Sequence, residues 1–259
     1  MGKPCSEPLG KPCSEPMGSL CVVGFGPGDA GGMTESCRRR LSDCDVVVGY
    51  AGYTRLLRPL FPGKAYHETG MAQETERCRA AIELAAGGKA VCVVSSGDGG
   101  VYGMASLIFE LAADAPGLGI EVVPGVTAAT SGAALLGAPI GHDFAVISLS
   151  DLLTPWGTIE KRLRAAASGD FAICLYNPGS KKRAGHLRDA CGILLKALPA
   201  DRLCGIARDI GREGQSISLL TLGELREMQA DMHETVFIGN SATKKIGGRM
   251  VTPRGYRNG

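Results

Sequence analysis

Short runs of apolar, mostly β-branched residues recur along this chain, and the early ones end in glycine-rich turns that lead into segments with helical spacing. SLCVVGF (19–25) passes into Gly24-Phe25-Gly26-Pro27-Gly28-Asp29. AVCVVSS (90–96) passes into Ser95-Ser96-Gly97-Asp98-Gly99-Gly100-Val101-Tyr102-Gly103-Met104, and IEVVPG (120–125) into Pro124-Gly125-Val126-Thr127-Ala128-Ala129. DVVVG (45–49) is a further run of the same kind. Continuous apolar runs without in/out alternation predict strands buried on both faces, and strands alternating with helices predict a mainly parallel sheet covered on both sides. The intervening helices are expected after a Thr34 cap, with Cys37 and Leu41 on one face, and over 73–87, with Cys78, Ile82 and Ala85 on one stripe and Gly87-Gly88 as the stop. Two more are expected over 102–114 and 126–137, the last built from small residues.

The pattern breaks at 137–143, where Pro139 and Gly141 interrupt it. Beyond lie strand candidates at 144–150, 171–176, 202–207, 216–221 and 234–240, and helix candidates at 159–167, 186–196 and 223–230. Runs 216–221 and 234–240 are expected to pair antiparallel. The expected fold is therefore α/β and two-lobed, with a mainly parallel N-terminal sheet (19–138), a mixed C-terminal sheet (139–259) and a basic tail from about 244. Residues 2–18 hold a near-exact tandem repeat, GKPCSEPLG then GKPCSEPMG, with four prolines and no apolar period, and read as a disordered tail.

Composition excludes several classes of function. A net charge of +2 supplies no field for nucleic acid. No apolar run approaches the roughly 18–20 residues that cross a bilayer, and the start lacks a signal-peptide pattern, so a cytoplasmic protein is expected. None of the ten cysteines is in C-x-x-C spacing, and several sit inside apolar runs. They read as buried thiols in a reducing compartment, with no metal site.

The first turn invites comparison with the dinucleotide fingerprint G-x-G-x-x-G, and fails it. Position 29 is Asp where Gly or Ala is needed, which sets a carboxylate beside a pyrophosphate. Pro27 removes a backbone N–H that would cradle phosphate. The plain alternative is a tight turn with Asp29 as a cap. In the second turn, glycines around Asp98 let backbone approach a ligand while the carboxylate accepts from an amine or hydroxyl. In the third, Thr127 and the helix N-terminus either bind a carboxylate or simply cap the helix.

These pieces, in this order, resemble the tetrapyrrole methylase family from Leu20 to about Asn240. The marks are GFGPGD, SSGDGGVYGMA, PGVTAAT, LYNPGS and TVFIGN. GHDFAVISLSDLLTPW (141–156), DIGREGQ (209–215) and TLGEL (221–225) are most similar to the branch that methylates carbon 17 of a corrin precursor with ring contraction, in cobalamin biosynthesis. The resemblance implies a class III methyltransferase fold and a homodimer that binds S-adenosyl-L-methionine between its lobes and releases S-adenosyl-L-homocysteine. It carries cofactor contacts onto Pro27, Ser96, Gly97, Asp98, Val101, Thr127 and Ala128, with Tyr176, Asn177 and Ala207 on the adenosine side. Two positions depart from the family. Gly99 stands where Pro or Ala is usual, so a looser loop is expected. Met104 stands where uroporphyrinogen-specific members carry Arg, and argues against that substrate.

A polycarboxylate tetrapyrrole needs cations. Arg183, Arg208, Lys181 and Lys182 are candidates, as is the basic end around Arg249 and Arg254, each equally readable as a solvated surface charge. Ring contraction needs proton transfers. His142, Asp143, Ser148, Ser150 and Asp151 cluster in sequence, with His142 first because histidine titrates near neutrality. The rival readings are a sibling enzyme acting at another corrin carbon, a diphthine synthase or ribosomal RNA ribose methyltransferase on the same scaffold, a non-catalytic tetrapyrrole carrier, and a dehydrogenase.

Overall fold

Each predicted strand of the first half sends alternate side chains to opposite faces, and both faces find a helix layer. A computed structural model describes residues 18–115, 117–180 and 182–256. The expected N-terminal tail (save Gly18), Cys5, Cys13 and the candidate Lys181 lie outside the described residues. Strands β1 (Ser19–Gly24), β2 (Val46–Tyr50), β3 (Ala65–Thr69), β4 (Ala90–Ser95) and β5 (Gly119–Val123) form a wholly parallel sheet in the order β3-β2-β4-β1-β5. Cys21, Val23, Val47, Cys92 and Val94 pack with Cys37, Leu41 and Leu57 on one face, under α1 (Glu35–Asp43) and α2 (Ala51–Leu57). Leu20, Val22, Val48, Val91 and Val93 pack with Cys78, Ala81, Ala85 and Ile108 on the other, under α3 (Glu74–Ala86) and α4 (Ala105–Leu111).

The Thr34 cap is present: its hydroxyl accepts from the Cys37 N–H at 3.1 Å. Asp29 caps a separate turn, accepting from the Gly32 N–H at 2.5 Å. Helix α4 starts three residues later than expected, because Gly99–Gly103 form a tight turn in which Tyr102 has a left-handed φ of 53°. The α2–β3 pair was not legible, since neither AGYTRLL nor AYHET has a clear apolar period.

After α5 (Ala128–Leu136) and β6 (Gly137–Ala138), a second sheet forms from β7 (Phe144–Ser148), β8 (Ala172–Tyr176), β9 (Leu203–Arg208), β10 (Ser216–Thr221) and β11 (Glu234–Ile238), in the order β10-β9-β11-β8-β7. Only β7 and β8 are parallel, so the sheet is mixed. The expected pairing of 216–221 with 234–240 is wrong. Both strands run antiparallel to β9, which lies between them, so they are parallel to each other and cannot touch. Strand β9 is buried from Cys204 to Ala207 and keeps the two apart.

Helices α6 (Trp156–Ser168), α7 (His186–Leu194) and α8 (Leu222–Glu227) cover one face of this sheet. The other face is covered by α5, whose Ala129, Ala133 and Leu136 meet Cys174, Ala207 and Phe237. By packing, α5 belongs with the second sheet, which moves the expected division from residue 138 to the turn at 124–127. The expected basic tail is instead an ordered hairpin, β12 (Lys244–Ile246) and β13 (Arg249–Val251), joined by Gly247 and Gly248, both left-handed. Strand β13 pairs with β6 and buries Met250 completely. All eight described cysteines are free and buried, as small hydrophobes would be.

Candidate active site

The three glycine turns of the first lobe leave the carboxyl ends of neighbouring strands β4, β1 and β5, and meet backbone to backbone. A Cβ on Gly26 would lie 2.3 Å from the Gly97 Cα and 2.4 Å from the Val126 carbonyl oxygen. One on Gly125 would lie 2.1 Å from the Gly97 carbonyl oxygen. No residue larger than glycine fits at either place. Asp98 braces the cradle: Oδ1 accepts from the Gly100 N–H at 2.7 Å and Oδ2 from the Gly125 N–H at 2.9 Å. A carboxylate has about four acceptor positions, so each oxygen keeps one for a ligand. Gly99 is not loose. It is buried, its carbonyl accepts from the Ala105 N–H at 3.0 Å, and a Cβ there would lie 2.8 Å from a Val22 methyl.

The second lobe closes on this cradle through three side chains. The Tyr176 hydroxyl accepts from the Ala129 N–H at 2.8 Å and hydrogen-bonds Thr127 Oγ1. Tyr176 thus caps α5 from β8, and Thr127 itself, at the N-cap position, makes no side-chain cap bond. Burial pushes the Tyr176 hydroxyl above its ordinary pKa, so it stays protonated at neutral pH. Tyr102 reaches the other way. Its hydroxyl donates to the Val146 carbonyl at 3.0 Å and accepts from the Ser148 N–H at 3.1 Å, occupying groups that edge strand β7 leaves open. The Tyr102 and Tyr176 rings lie 5.4 Å apart. Arg212, in the turn after β9, donates to Ser96 Oγ at 2.9 Å.

Most of the residues the family resemblance singled out are drawn together here. Pro27, Ser96, Gly97, Asp98, Val101, Thr127 and Ala128 are half-buried on these turns or at the first turn of α5, and Tyr176 and Asn177 are half-buried at the end of β8 and just after it. Asn177, left-handed at φ 52°, donates to Ser148 Oγ at 2.9 Å, and the Ser150 N–H donates to the same oxygen at 3.2 Å. Ala207 differs, because its side chain is fully buried under α5. Met104 packs on α3, where its sulfur receives Arg77 at 3.7 Å and the Cys78 thiol at 3.9 Å.

The cation and acid/base candidates divide. Arg183 donates to Ser150 Oγ and stays beside the seam. Arg208 is taken up by Asp231 at 2.8 Å, Glu234 at 2.9 Å and Asp209 at 3.5 Å, an anchor rather than a free cation. Hydrogen bonds to Asp231 and Glu234 raise its pKa further. Arg249 caps the end of α5 through the Leu135 carbonyl at 2.7 Å, while Lys182 and Arg254 are exposed. His142 is exposed and contacts its neighbour Asp143. It precedes β7, whereas Ser148 ends it, and five residues of strand separate the two by roughly 17 Å. The structure does not bring His142 to the seam.

A second histidine, His186, is held against the loop that follows β7. The His186 Nδ1 lies 3.1 Å from the Leu149 carbonyl, Nε2 lies 3.6 Å from Asp151 Oδ2, and the ring stacks on Trp156 at 4.8 Å. His186 was readable only as a helix start, because its partners Leu149, Asp151 and Trp156 lie about 30–37 residues upstream. Tyr102 and Arg212 were hidden for the same reason: each does its work across the seam.

Comparison with known proteins shows the family. The family model described as Tetrapyrrole (Corrin/Porphyrin) Methylases matches residues 19–226. A probable cobalt-factor III C(17)-methyltransferase of Salmonella typhimurium is 46% identical over 91% of this chain and 98% of its own length. A cobalt-factor III methyltransferase of Priestia megaterium is 40% identical over 91% of this chain, which spans only 45% of that longer relative. The crystal structure of the methyltransferase CobJ superposes with a TM-score of 0.85 at 40% identity, over 91% of this chain and all of that one. The chain, a methyltransferase, belongs to the tetrapyrrole (corrin/porphyrin) methylase family.

Proposed function

We propose that this protein methylates carbon 17 of cobalt-factor III, or of its metal-free counterpart precorrin-3B, with contraction of the macrocycle during cobalamin biosynthesis. The similarity to the Salmonella relative along nearly its whole length carries this reading. A cytoplasmic homodimer is part of it. Eight buried free thiols support a reducing compartment, and no described helix is long and apolar enough to cross a membrane.

The seam suits S-adenosylmethionine. The backbone-to-backbone cradle leaves no room for larger side chains beneath a ligand, and Asp98 keeps acceptor positions for an ammonium or a ribose hydroxyl. Pro27, Ser96, Gly97, Asp98, Val101, Thr127 and Ala128 would hold it on the first-lobe side, and Tyr176 and Asn177 on the other, with Ala207 acting through its backbone. The cofactor supplies an activated methyl group on a sulfonium that leaves readily.

The chain's own task is positioning. Tyr102 ties the lobes across the seam and Tyr176 holds the turn that carries Thr127, so the two halves of the site keep a fixed separation. Holding acceptor carbon, methyl and sulfur in line accounts for about 7–11 kcal/mol of barrier. Proton transfers during contraction fall to Asp151 with His186, and Ser148 orients Asn177. Arg183 meets a substrate carboxylate at the rim, with Met104 shaping the adjoining wall. Incubation with S-adenosylmethionine and cobalt-factor III, read by mass spectrometry and NMR, is expected to show one added methyl at carbon 17. A methyl at another carbon would make it a sibling enzyme, and pigment binding without methyl gain would make it a carrier.

A further inference from the structure

We infer that Arg212 is a carboxylate clamp at the active site, held in place by the ionic cluster around Arg208; this deepens the methyltransferase reading and rests on it. Arg212 lies in the turn 209–215 that follows β9. Its half-buried guanidinium crosses the seam to Ser96 Oγ at 2.9 Å, beside the cradle of the first lobe. Among the described residues no carboxylate pairs with it, whereas Arg208, four residues earlier, engages three. A guanidinium has five N–H donors in a planar fork that matches a carboxylate. With one donor spent on a neutral hydroxyl, its charge is left for an anion to neutralise.

The turn is built to hold that side chain. Asp209 takes a left-handed φ of 46°, its N–H donates to the His233 carbonyl at 3.0 Å, and its carboxylate meets His233 Nδ1 at 3.0 Å. The Arg212 N–H donates to the Asp209 carbonyl at 2.9 Å, and Gln215 Oε1 accepts from the Gly211 N–H at 2.8 Å. The turn also lies flat on the first glycine loop. A Cβ on Gly28 would lie 2.7 Å from the Ile210 carbonyl oxygen and 2.9 Å from Arg212 Cγ. A flexible cation has thus been given a fixed backbone, a docked stem and a hydrogen-bonded tip. That arrangement lowers the ordering cost of binding an anion.

Two carboxylates can reach such a site: that of the cofactor's methionyl group, and a side-chain carboxylate of the tetrapyrrole. Calorimetry separates them on the intact protein. Three probes suffice: S-adenosylhomocysteine, 5′-methylthioadenosine (the same thionucleoside without the amino acid) and cobalt-factor III. Arg212→Gln keeps a donor for Ser96 and removes the charge, while Arg212→Lys keeps the charge. Loss of one charged hydrogen bond predicts about a 10-fold or greater weakening. If the cofactor is held, R212Q binds S-adenosylhomocysteine at least that much more weakly, binds 5′-methylthioadenosine as wild type does, and R212K recovers part of the loss. If the tetrapyrrole is held, the same pattern appears with cobalt-factor III alone. Unchanged binding of all three probes by R212Q overturns the inference. So does an equal loss for 5′-methylthioadenosine and S-adenosylhomocysteine, which would mean that the turn merely supports the loop. Wild-type protein that binds none of the probes overturns the methyltransferase reading together with this one.

Discussion

Replacing Tyr176 by Phe removes a single oxygen atom and leaves the ring in place. That oxygen serves two groups on the other side of the turn at 124–127, the Ala129 N–H and the Thr127 hydroxyl. Helix α5 has no other side-chain cap at this end, so its first turn loses the partner that an N-cap normally supplies, worth about 1 kcal/mol. The hydroxyl of Thr127 loses its partner at a half-buried position, which adds about 1 kcal/mol. The sum of about 2 kcal/mol corresponds to a Tm lower by about 4–8 °C for a chain of this size. Denaturation in urea measures the free energy and calorimetric scanning the Tm. Thr127→Val removes one of the same partners, so the double variant is expected to be less destabilised than the sum of the singles, with a coupling of about 0.5–1 kcal/mol. Affinity for S-adenosylhomocysteine is expected to fall too, because the turn carrying Thr127 is part of the cradle. A Tm within 1 °C of wild type, or strictly additive variants, would refute the claim that Tyr176 holds this turn.

Further outcomes are expected. His142→Ala keeps its turnover within about twofold, whereas His186→Ala slows product formation and leaves S-adenosylhomocysteine binding unchanged; steady-state assays and calorimetry compare the two. Burial raises the Asp231 carboxyl pKa, but the His233 N–H and Arg208 outweigh it and hold the pKa below its ordinary value. Its contribution to stability is therefore complete above the unfolded value near pH 4 and is lost as pH falls through the lower folded value; Tm against pH should show this acid limb in wild type and lose it in Asp231→Asn. Burial pushes the Cys37 and Cys78 thiols up to about 11 and the Cys191 thiol to about 12, so these three should resist a thiol reagent in the native chain and react after denaturation, as mass spectrometry of labelled peptides would show.

Much of the fold was legible because its determinants are local. Runs such as CVVG and VCVVS can satisfy both faces only inside a covered parallel sheet, and Thr34 three residues before Cys37 is a cap whatever the rest of the chain does. The cradle was legible because glycine at 26 and 125 answers a backbone contact that no other residue permits. The residues that act across the seam were not. His142 came first because it is the histidine of the sequence cluster 142–151, while His186 meets Asp151 only once α7 has folded against the loop after β7. Arg208 and Arg212 look alike in sequence, yet among the described residues one is neutralised by three carboxylates and the other by none.

The sequence by itself determined most of the segments that become strands and helices, where backbone must approach backbone, and the family to which these turns belong, since each follows from neighbours a few residues apart. Tertiary structure alone decided the strand order around β9, the allegiance of α5 to the second sheet, which histidine meets Asp151 and which arginine reaches Ser96. Those depend on burial and on charges brought together from distant positions, and a side chain's partners exist only after the lobes have closed on one another.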